Sequence, residues 1–209
     1  MNEPVAVAVL AKAPIAGFAK TRLIPVLGAD GAARLQENLI MRALATACAA
    51  GIGPVTLWAT PDENHPALQA IAVPFDVALA RQRDGDLGAR MLAAIEAASG
   101  PSLVIGTDCP VLTSEHLCTA ADVLRRGTDV VVLPAEDGGY VLIGARVSRP
   151  ALFSAMPWST PRVMDETRHR LRAFGLTWQE PVTLWDLDLP EDIERLSAIG
   201  MKDLISTHD

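Results

Sequence analysis

The chain has 209 residues, half of them apolar, 21% charged and only 4% aromatic, with a formal net charge of -7. That length suits one globular domain over residues 1–209, with a core filled mainly by Ala, Val, Leu and Ile. The acidic balance excludes a general nucleic-acid binder, which needs a clustered basic face, but a phosphate site needs only a few placed cations.

The first element is an apolar, Val-rich run at residues 5–11. It is too short to span a membrane, no cleavage site follows a charged leader, and its composition suits a strand covered on both faces. A loop with Pro14, Gly17 and Pro25 follows, then a helix from about Asp30 to Ala50, where Leu35, Leu39, Leu44 and Cys48 keep helical spacing. A strand is expected at residues 55–59, a short helix at 66–71 and a third strand at 75–79. A polar loop at 82–86 precedes a helix at 87–98 and a buried strand at 103–106. Ser114 is the expected N-cap of a helix reaching Arg126. Strands at 129–133 and 140–144 are joined by Glu136-Asp137-Gly138-Gly139, which predicts a hairpin or close antiparallel return. A helix at 163–174, a strand at 182–185 and a helix from Glu191 complete the chain. Alternating strands and helices predict an α/β fold with a mixed, mainly parallel sheet and helices on both faces.

Cys48, Cys109 and Cys118 form no framework, and their odd number points to a reducing compartment. The expectation is a cytoplasmic protein without membrane or nucleic-acid partners. His65, His116, His169 and His208 show no ligand spacing.

In open parallel sheets, ligands bind at the carboxyl ends of the strands, and four polar clusters follow predicted strands. The first, Lys12-Ala-Pro-Ile-Ala-Gly17-Phe-Ala-Lys20-Thr-Arg22, places three cations on a loop loosened by Gly17. It suits a polyphosphate cradle, since Lys acts as a point charge and Arg binds two oxygens at once; a solvated loop is the alternative. It is neither a Walker A loop nor a dinucleotide turn. The second, Gly106-Thr107-Asp108-Cys109-Pro110, sets a carboxylate where Mg2+ could bridge it to phosphate oxygens; a turn cap before Pro110 is the plainer reading, and Cys109 reads as a small apolar residue. The third runs from Trp185 to Asp192. Asp186 and Asp188 share a face if the strand continues, although Pro190, Glu191 and Asp192 also suit a helix entry. The fourth, Asp137-Gly-Gly-Tyr140, needs only a turn to explain it. Trp158-Ser159-Thr160-Pro161 reads as a helix start with Thr160 as cap, whose N-terminus could hold an acceptor's anion. The cations Arg162, Arg168, Arg170 and Arg172 read as a solvated helix face.

In this order the clusters resemble those of the bacterial selenodomain-associated transferases, labelled glycosyltransferases, in the nucleotide-diphospho-sugar transferase superfamily. The match takes in Lys12 to Leu23, Gln82 with Gly85-Asp86-Leu87-Gly88-x-Arg90, Gly106 to Pro110, Asp137 to Tyr140, Trp158-Ser159-Thr160 and Asp186 to Asp192. More distantly, the first loop is similar to that of phospholactate guanylyltransferases and molybdenum-cofactor nucleotidyltransferases, but it lacks the Gly-Gly-x-Ser-x-Arg-Met-Gly pattern of the latter. The resemblance implies the glycosyltransferase-A fold, a Rossmann-like three-layer α/β/α arrangement. It implies a Mg2+ (or Mn2+)-dependent transferase, monomeric or homodimeric, with a nucleotide donor and a small-molecule acceptor.

Carried over, Lys20 and Asp108 would be catalytic. Lys12, Gly17, Lys20, Arg22, Gln82, Asp86 and Gly88 would bind nucleotide or phosphate. Asp137, Gly138, Tyr140, Ser159 and Thr160 would face the acceptor, and Asp108 with Asp188 or Asp186 would hold the metal. The favoured reaction is glycosyl transfer from a nucleotide-diphospho-sugar. Nucleotidyl transfer from a triphosphate with pyrophosphate release is the alternative, to which three loop cations lend weight. A non-catalytic nucleotide sensor is a third reading.

Overall fold

A computed structural model of the chain describes residues 3–205, so His208 lies outside it. Seven strands form one sheet: β1 (Ala6–Lys12), β2 (Val55–Thr60), β3 (Ala78–Arg81), β4 (Ser102–Ile105), β5 (Val130–Pro134), β6 (Tyr140–Ala145) and β7 (Trp178–Gln179). Their order is β3-β2-β1-β4-β6-β5-β7. All pairings are parallel except those of β6, which runs antiparallel between β4 and β5. The Asp-Gly-Gly return thus makes the sheet mixed, as its turn chemistry implied.

Helices cover both faces. On one side α1 (Ile24–Ala50), α2 (Pro66–Ala72) and α4 (Ser114–Arg125) enclose a core that includes Val7, Val9, Ile40, Leu44, Leu68, Leu103, Leu117 and Leu124. On the other, α3 (Leu87–Glu96) and α5 (Val163–Ala173) close over Ala8, Val104, Val132 and Ile143 with Met91, Ile95, Met164 and Leu171. The architecture is the three-layer α/β/α arrangement.

A third, smaller cluster matters more for the site. Leu23, Leu35 and Leu39 pack with Trp185, Leu187, Leu196 and Leu204 beside the final helix, α6 (Pro190–Ala198). Leu23 lies three residues after Lys20, and Leu187 lies between Asp186 and Asp188. Both leucines are wholly buried, which is worth on the order of 2 kcal/mol each. A partly exposed ion pair contributes about 1 kcal/mol or less. Packing, rather than charge, therefore brings the first loop to the last acidic segment. The backbone N–H of Leu187 also donates to the carbonyl of Asp108 at 2.8 Å, tying that segment to the end of β4.

Several element ends differ from expectation. α1 begins at Ile24, with Pro25 in its first turn, and Gly28 (φ 69°, ψ 168°) interrupts it before the regular part. β3 starts at Ala78, because residues 73–75 form a 3-10 turn and Asp76 is left-handed. Thr113, not Ser114, caps α4: its hydroxyl accepts from the His116 N–H while the His116 ring accepts from the Thr113 N–H. α5 starts at Val163, so Thr160 is not its cap. Its hydroxyl instead donates to Pro157 O at 2.7 Å and holds the preceding turn. The last strand is Trp178–Gln179, and residues 182–185 contribute only an isolated bridge from Ala135 to Leu184. Asp186 and Asp188 are therefore outside any strand, yet alternation survives: Leu187 points inward and both carboxylates face the cleft.

Among the described residues, no helix is long and apolar enough to cross a membrane.

Candidate active site

A cleft of about 640 Å3 opens at the carboxyl ends of β1 and β4, within the size range of small-molecule and cofactor sites. Among the expected site residues, Lys12, Lys20, Arg22, Gln82, Asp108, Asp137, Tyr140, Ser159, Thr160, Asp186 and Asp188 line it. Asp86, Gly88, Gly17 and Gly138 do not, and each has a visible structural duty or setting instead.

At the centre is Lys20. Its side chain is only 5% exposed, with Nζ 2.7 Å from Asp108 Oδ1 and 3.2 Å from Asp188 Oδ1. The ammonium also donates to the carbonyl of Leu187 at 2.6 Å. Burial opposes its charge, but the pull of Asp108 and Asp188 outweighs burial and the Lys20 pKa rises. The Lys20 backbone is left-handed, with φ 46° and ψ 45°. For a side-chain-bearing residue that costs of order 1–3 kcal/mol, and such strain concentrates at functional sites. Ser159, also at the cleft, has φ 61°. Arg22 is exposed and stands 3.5 Å from Asp188 Oδ2.

The carboxylates outnumber these cations. Asp186 is pushed up to about 6, first by burial and then by the nearby charges of Asp137, Asp188 and Asp108. Among the described residues, no three side chains converge as a ready-made metal cage. Mg2+ and Mn2+ take hard oxygen donors and, where substrate phosphates and water complete the shell, need only one or two protein carboxylates. The hard oxygen donors available for such an ion are Asp108, Asp188 and Asp186, in a corner where Lys20 and Arg22 face four carboxylates.

Other expected residues also make contacts that hold the scaffold. Lys12 Nζ donates to the Phe18 carbonyl and pins the first loop. Gln82 is buried, and its amide donates to Ala11 O at 3.0 Å and Trp58 O at 2.8 Å, joining β1 to β2. Asp86 caps α3 by accepting from Ala89 N at 2.8 Å. A Cβ on Gly88 would lie 2.7 Å from Phe153 O and 2.8 Å from Trp158 Cζ2, so the missing side chain lets Trp158 lie against α3. Gly138 has φ 91° and would meet Pro161 O at 2.2 Å, a contact that only glycine allows. Gly17, at φ 82°, has open space around it and serves the turn. Asp137 Oδ1 accepts from Gly139 N at 2.8 Å, shaping the hairpin that presents Tyr140. The Tyr140 hydroxyl meets Met91 Sδ at 3.8 Å, and burial pushes its pKa up. Burial raises Cys109 to about 12, in keeping with an apolar role. The arginines of α5 are not a loosely solvated face: Arg168 and Arg170 form ion pairs, and Arg170 also binds carbonyls of residues 151–155.

Three cleft residues escaped the sequence reading as site residues. Gln36 is a buried amide on the apolar face of α1 and donates to Lys12 O and Thr107 Oγ1. A polar residue at a core position of the helical repeat was its only signal. Arg90 and Trp158 also line the cleft. Both stand within the resembling motifs, but nothing local marked them.

The family described as "Uncharacterized protein conserved in bacteria (DUF2064)" matches residues 43–160. That span holds Gln82 to Arg90, Asp108, Asp137 to Tyr140 and Trp158 to Thr160, and excludes the first loop and the last acidic segment. No curated protein sequence matches the chain. Solved structures share the fold. A provisionally assigned nucleotide-diphospho-sugar transferase from Desulfovibrio desulfuricans G20 superposes with a TM-score of 0.82 at 24% identity, over 95% of this chain and 90% of its own. A nucleotidyl transferase from Methanothermobacter thermautotroptrophicus gives 0.62 at 15%, over 96% and 100%. Glucosyl-3-phosphoglycerate synthase from Mycobacterium tuberculosis, in complex with Mn2+, uridine diphosphate and glucosyl-3-phosphoglycerate, gives 0.56 at 10%, over 97% and 78%.

Proposed function

The chain belongs to the DUF2064 family, and from that premise we propose that residues 1–209 form one metal-dependent transferase domain that moves a glycosyl group from a nucleotide-diphospho-sugar to a small-molecule acceptor. The observation that carries this reading is the corner where Lys20 lies between Asp108 and Asp188, at the carboxyl ends of the strands. Three loop cations by themselves would suit a triphosphate. In the folded protein Lys20 is engaged by two carboxylates, whereas Lys12, bonded to a carbonyl, and Arg22 are both exposed. With Lys20 committed to two carboxylates, the loop offers two exposed cations rather than three, which shifts the charge match towards a diphosphate. The likeness in fold to both sugar and nucleotidyl transferases keeps nucleotidyl transfer as the second reading.

In the favoured reaction an acceptor hydroxyl oxygen bonds to the anomeric carbon and passes its proton to solvent. The bond from that carbon to the phosphate oxygen breaks, its electron pair leaving with the nucleoside diphosphate. Asp108 with Asp188 or Asp186 would hold the divalent ion, whose chemistry when bound is to neutralise charge on the leaving phosphates. Lys20 lies within the corner and adds a fixed positive charge there, strongest in effect as phosphate charge develops. Arg22, exposed at its rim, binds phosphate oxygens as the donor enters.

A thermal-shift panel tests this. Nucleotide sugars should raise the melting temperature only with Mg2+ or Mn2+, since a ligand at 100 times its Kd adds about 2.7 kcal/mol. Asp108→Asn should erase the metal-dependent part. A panel in which no nucleotide shifts the transition with either metal contradicts the proposal.

A further inference from the structure

Among the described residues, four buried side-chain polar atoms have no hydrogen-bond partner: His65 Nδ1, Ser102 Oγ, Arg90 Nε and Trp158 Nε1. Only Arg90 and Trp158 line the cleft. Both are donors, and an unsatisfied buried donor costs about 1–3 kcal/mol, more when charged. The wall that presents them is deliberately close-packed. Gly88 lets the Trp158 indole lie against the first turn of α3, two residues before Arg90. Tyr140 meets Trp158 edge to face, with centroids 6.3 Å apart, and its hydroxyl is committed to Met91. Arg90 makes no ion pair with another described residue, whereas Arg81, Arg125, Arg146, Arg168, Arg170 and Arg195 each do.

We infer that Arg90 and Trp158 form a subsite for the anionic group of the acceptor, a carboxylate or a phosphate. The inference rests on the transferase reading for what the bound anion does, and deepens it: the acceptor is a small hydroxylated anion. Both unpartnered atoms are donors, so the ligand must bring acceptor atoms. The Arg90 guanidinium, whose Nε lacks a partner, favours a negative charge, which a base or sugar carbonyl does not supply, while carboxylate and phosphate fit its donor fork. The donor's own phosphates have Arg22, Lys20 and the carboxylate corner, so Arg90, on α3 two residues from the glycine that seats Trp158, is assigned to the other substrate. Holding the acceptor by its anion leaves its hydroxyl to meet the donor and converts a bimolecular encounter into a positioned one.

The test follows the Trp158 indole N–H in an NMR spectrum, assigned among the four tryptophans by its loss in Trp158→Phe. Inorganic phosphate and acetate are titrated separately, without metal. One or both should move that resonance saturably, and whichever does so at lower concentration identifies the group. Arg90→Gln should weaken the response at least ten-fold, Arg90→Lys should fall between, and Lys20→Ala should leave it in place. The inference is overturned if neither anion moves the resonance, or if Arg90→Gln responds like the wild type. It is also overturned if free nucleosides move the resonance and Arg90→Gln weakens only them, since Arg90 would then read the base. Failure of the nucleotide panel beside an intact Arg90-dependent anion response would sink the transferase reading alone.

Discussion

Two clusters of charge in this protein have opposite electrostatic outcomes. On α5, Arg168 binds Glu180 through two guanidinium nitrogens, at 3.0 and 2.7 Å, and the Trp178 indole adds a third bond to the same carboxylate. Arg168 also meets Asp165, and Arg172 stacks over Trp178. Glu180 is held below its ordinary pKa, first by its hydrogen bonds to Arg168. At the cleft, Lys20 and Arg22 face Asp108, Asp186, Asp188 and Asp137, and Asp186 rises to about 6. Balanced charges with matched donors mark a clamp. A corner left short of positive charge, with its one buried cation in a strained backbone, marks a place meant to receive something.

Substitutions at the two clusters should separate these roles. The largest effect is expected for Asp108→Asn: turnover in a metal-supplemented nucleotide assay should fall about 1,000-fold, with an unchanged circular dichroism spectrum. Full activity would remove Asp108 from the mechanism. Lys20→Ala should lower kcat about 100-fold and weaken donor binding as well, because interactions stronger in the transition state appear in kcat. Loss of affinity alone, in a protein without turnover of any nucleotide, would favour a sensor. Gly138→Ala forces a Cβ onto Pro161 at positive φ and should cost about 2–3 kcal/mol in denaturant unfolding.

Smallest is Arg168→Gln, at about 0.5–1 kcal/mol near neutral pH, with activity preserved. Its pH dependence has a definite sign. Glu180 is depressed from 4.5, so the stabilisation is present above that value and lost as pH falls through the folded pKa. Wild type and variant should converge in acid. A gap that persists there would mean that Arg168 acts by packing rather than charge.

The same contrast explains what the sequence made legible. Buried strands and amphipathic helices announce themselves because apolar periodicity reflects the sheet and helix repeats directly, and the hairpin was readable from Asp137-Gly-Gly. The strand expected at residues 182–185 was not formed. Apolar character there serves the Trp185–Leu187–Leu23 cluster, and composition cannot distinguish that packing from a ladder. Asp108, Lys20 and Asp188 were visible as charges after strands, yet their convergence depends on Leu23 and Leu187, 164 residues apart in the chain. Gln82 and Lys12 line the cleft as expected, but sequence shows a polar side chain without showing the carbonyl it also bonds. Arg90 and Trp158 were hidden for the converse reason, since only the fold reveals that their donors have no partner.

The measurement that bears most directly on the central claim is product analysis with labelled nucleotides, in the presence of Mg2+ or Mn2+ and a panel of small hydroxylated carboxylates and phosphates. The account predicts consumption of a nucleotide-diphospho-sugar, release of the nucleoside diphosphate and transfer of the sugar label to the acceptor, all lost in Asp108→Asn. Pyrophosphate released from a triphosphate, with every nucleotide sugar left intact, would contradict it and make the protein a nucleotidyltransferase.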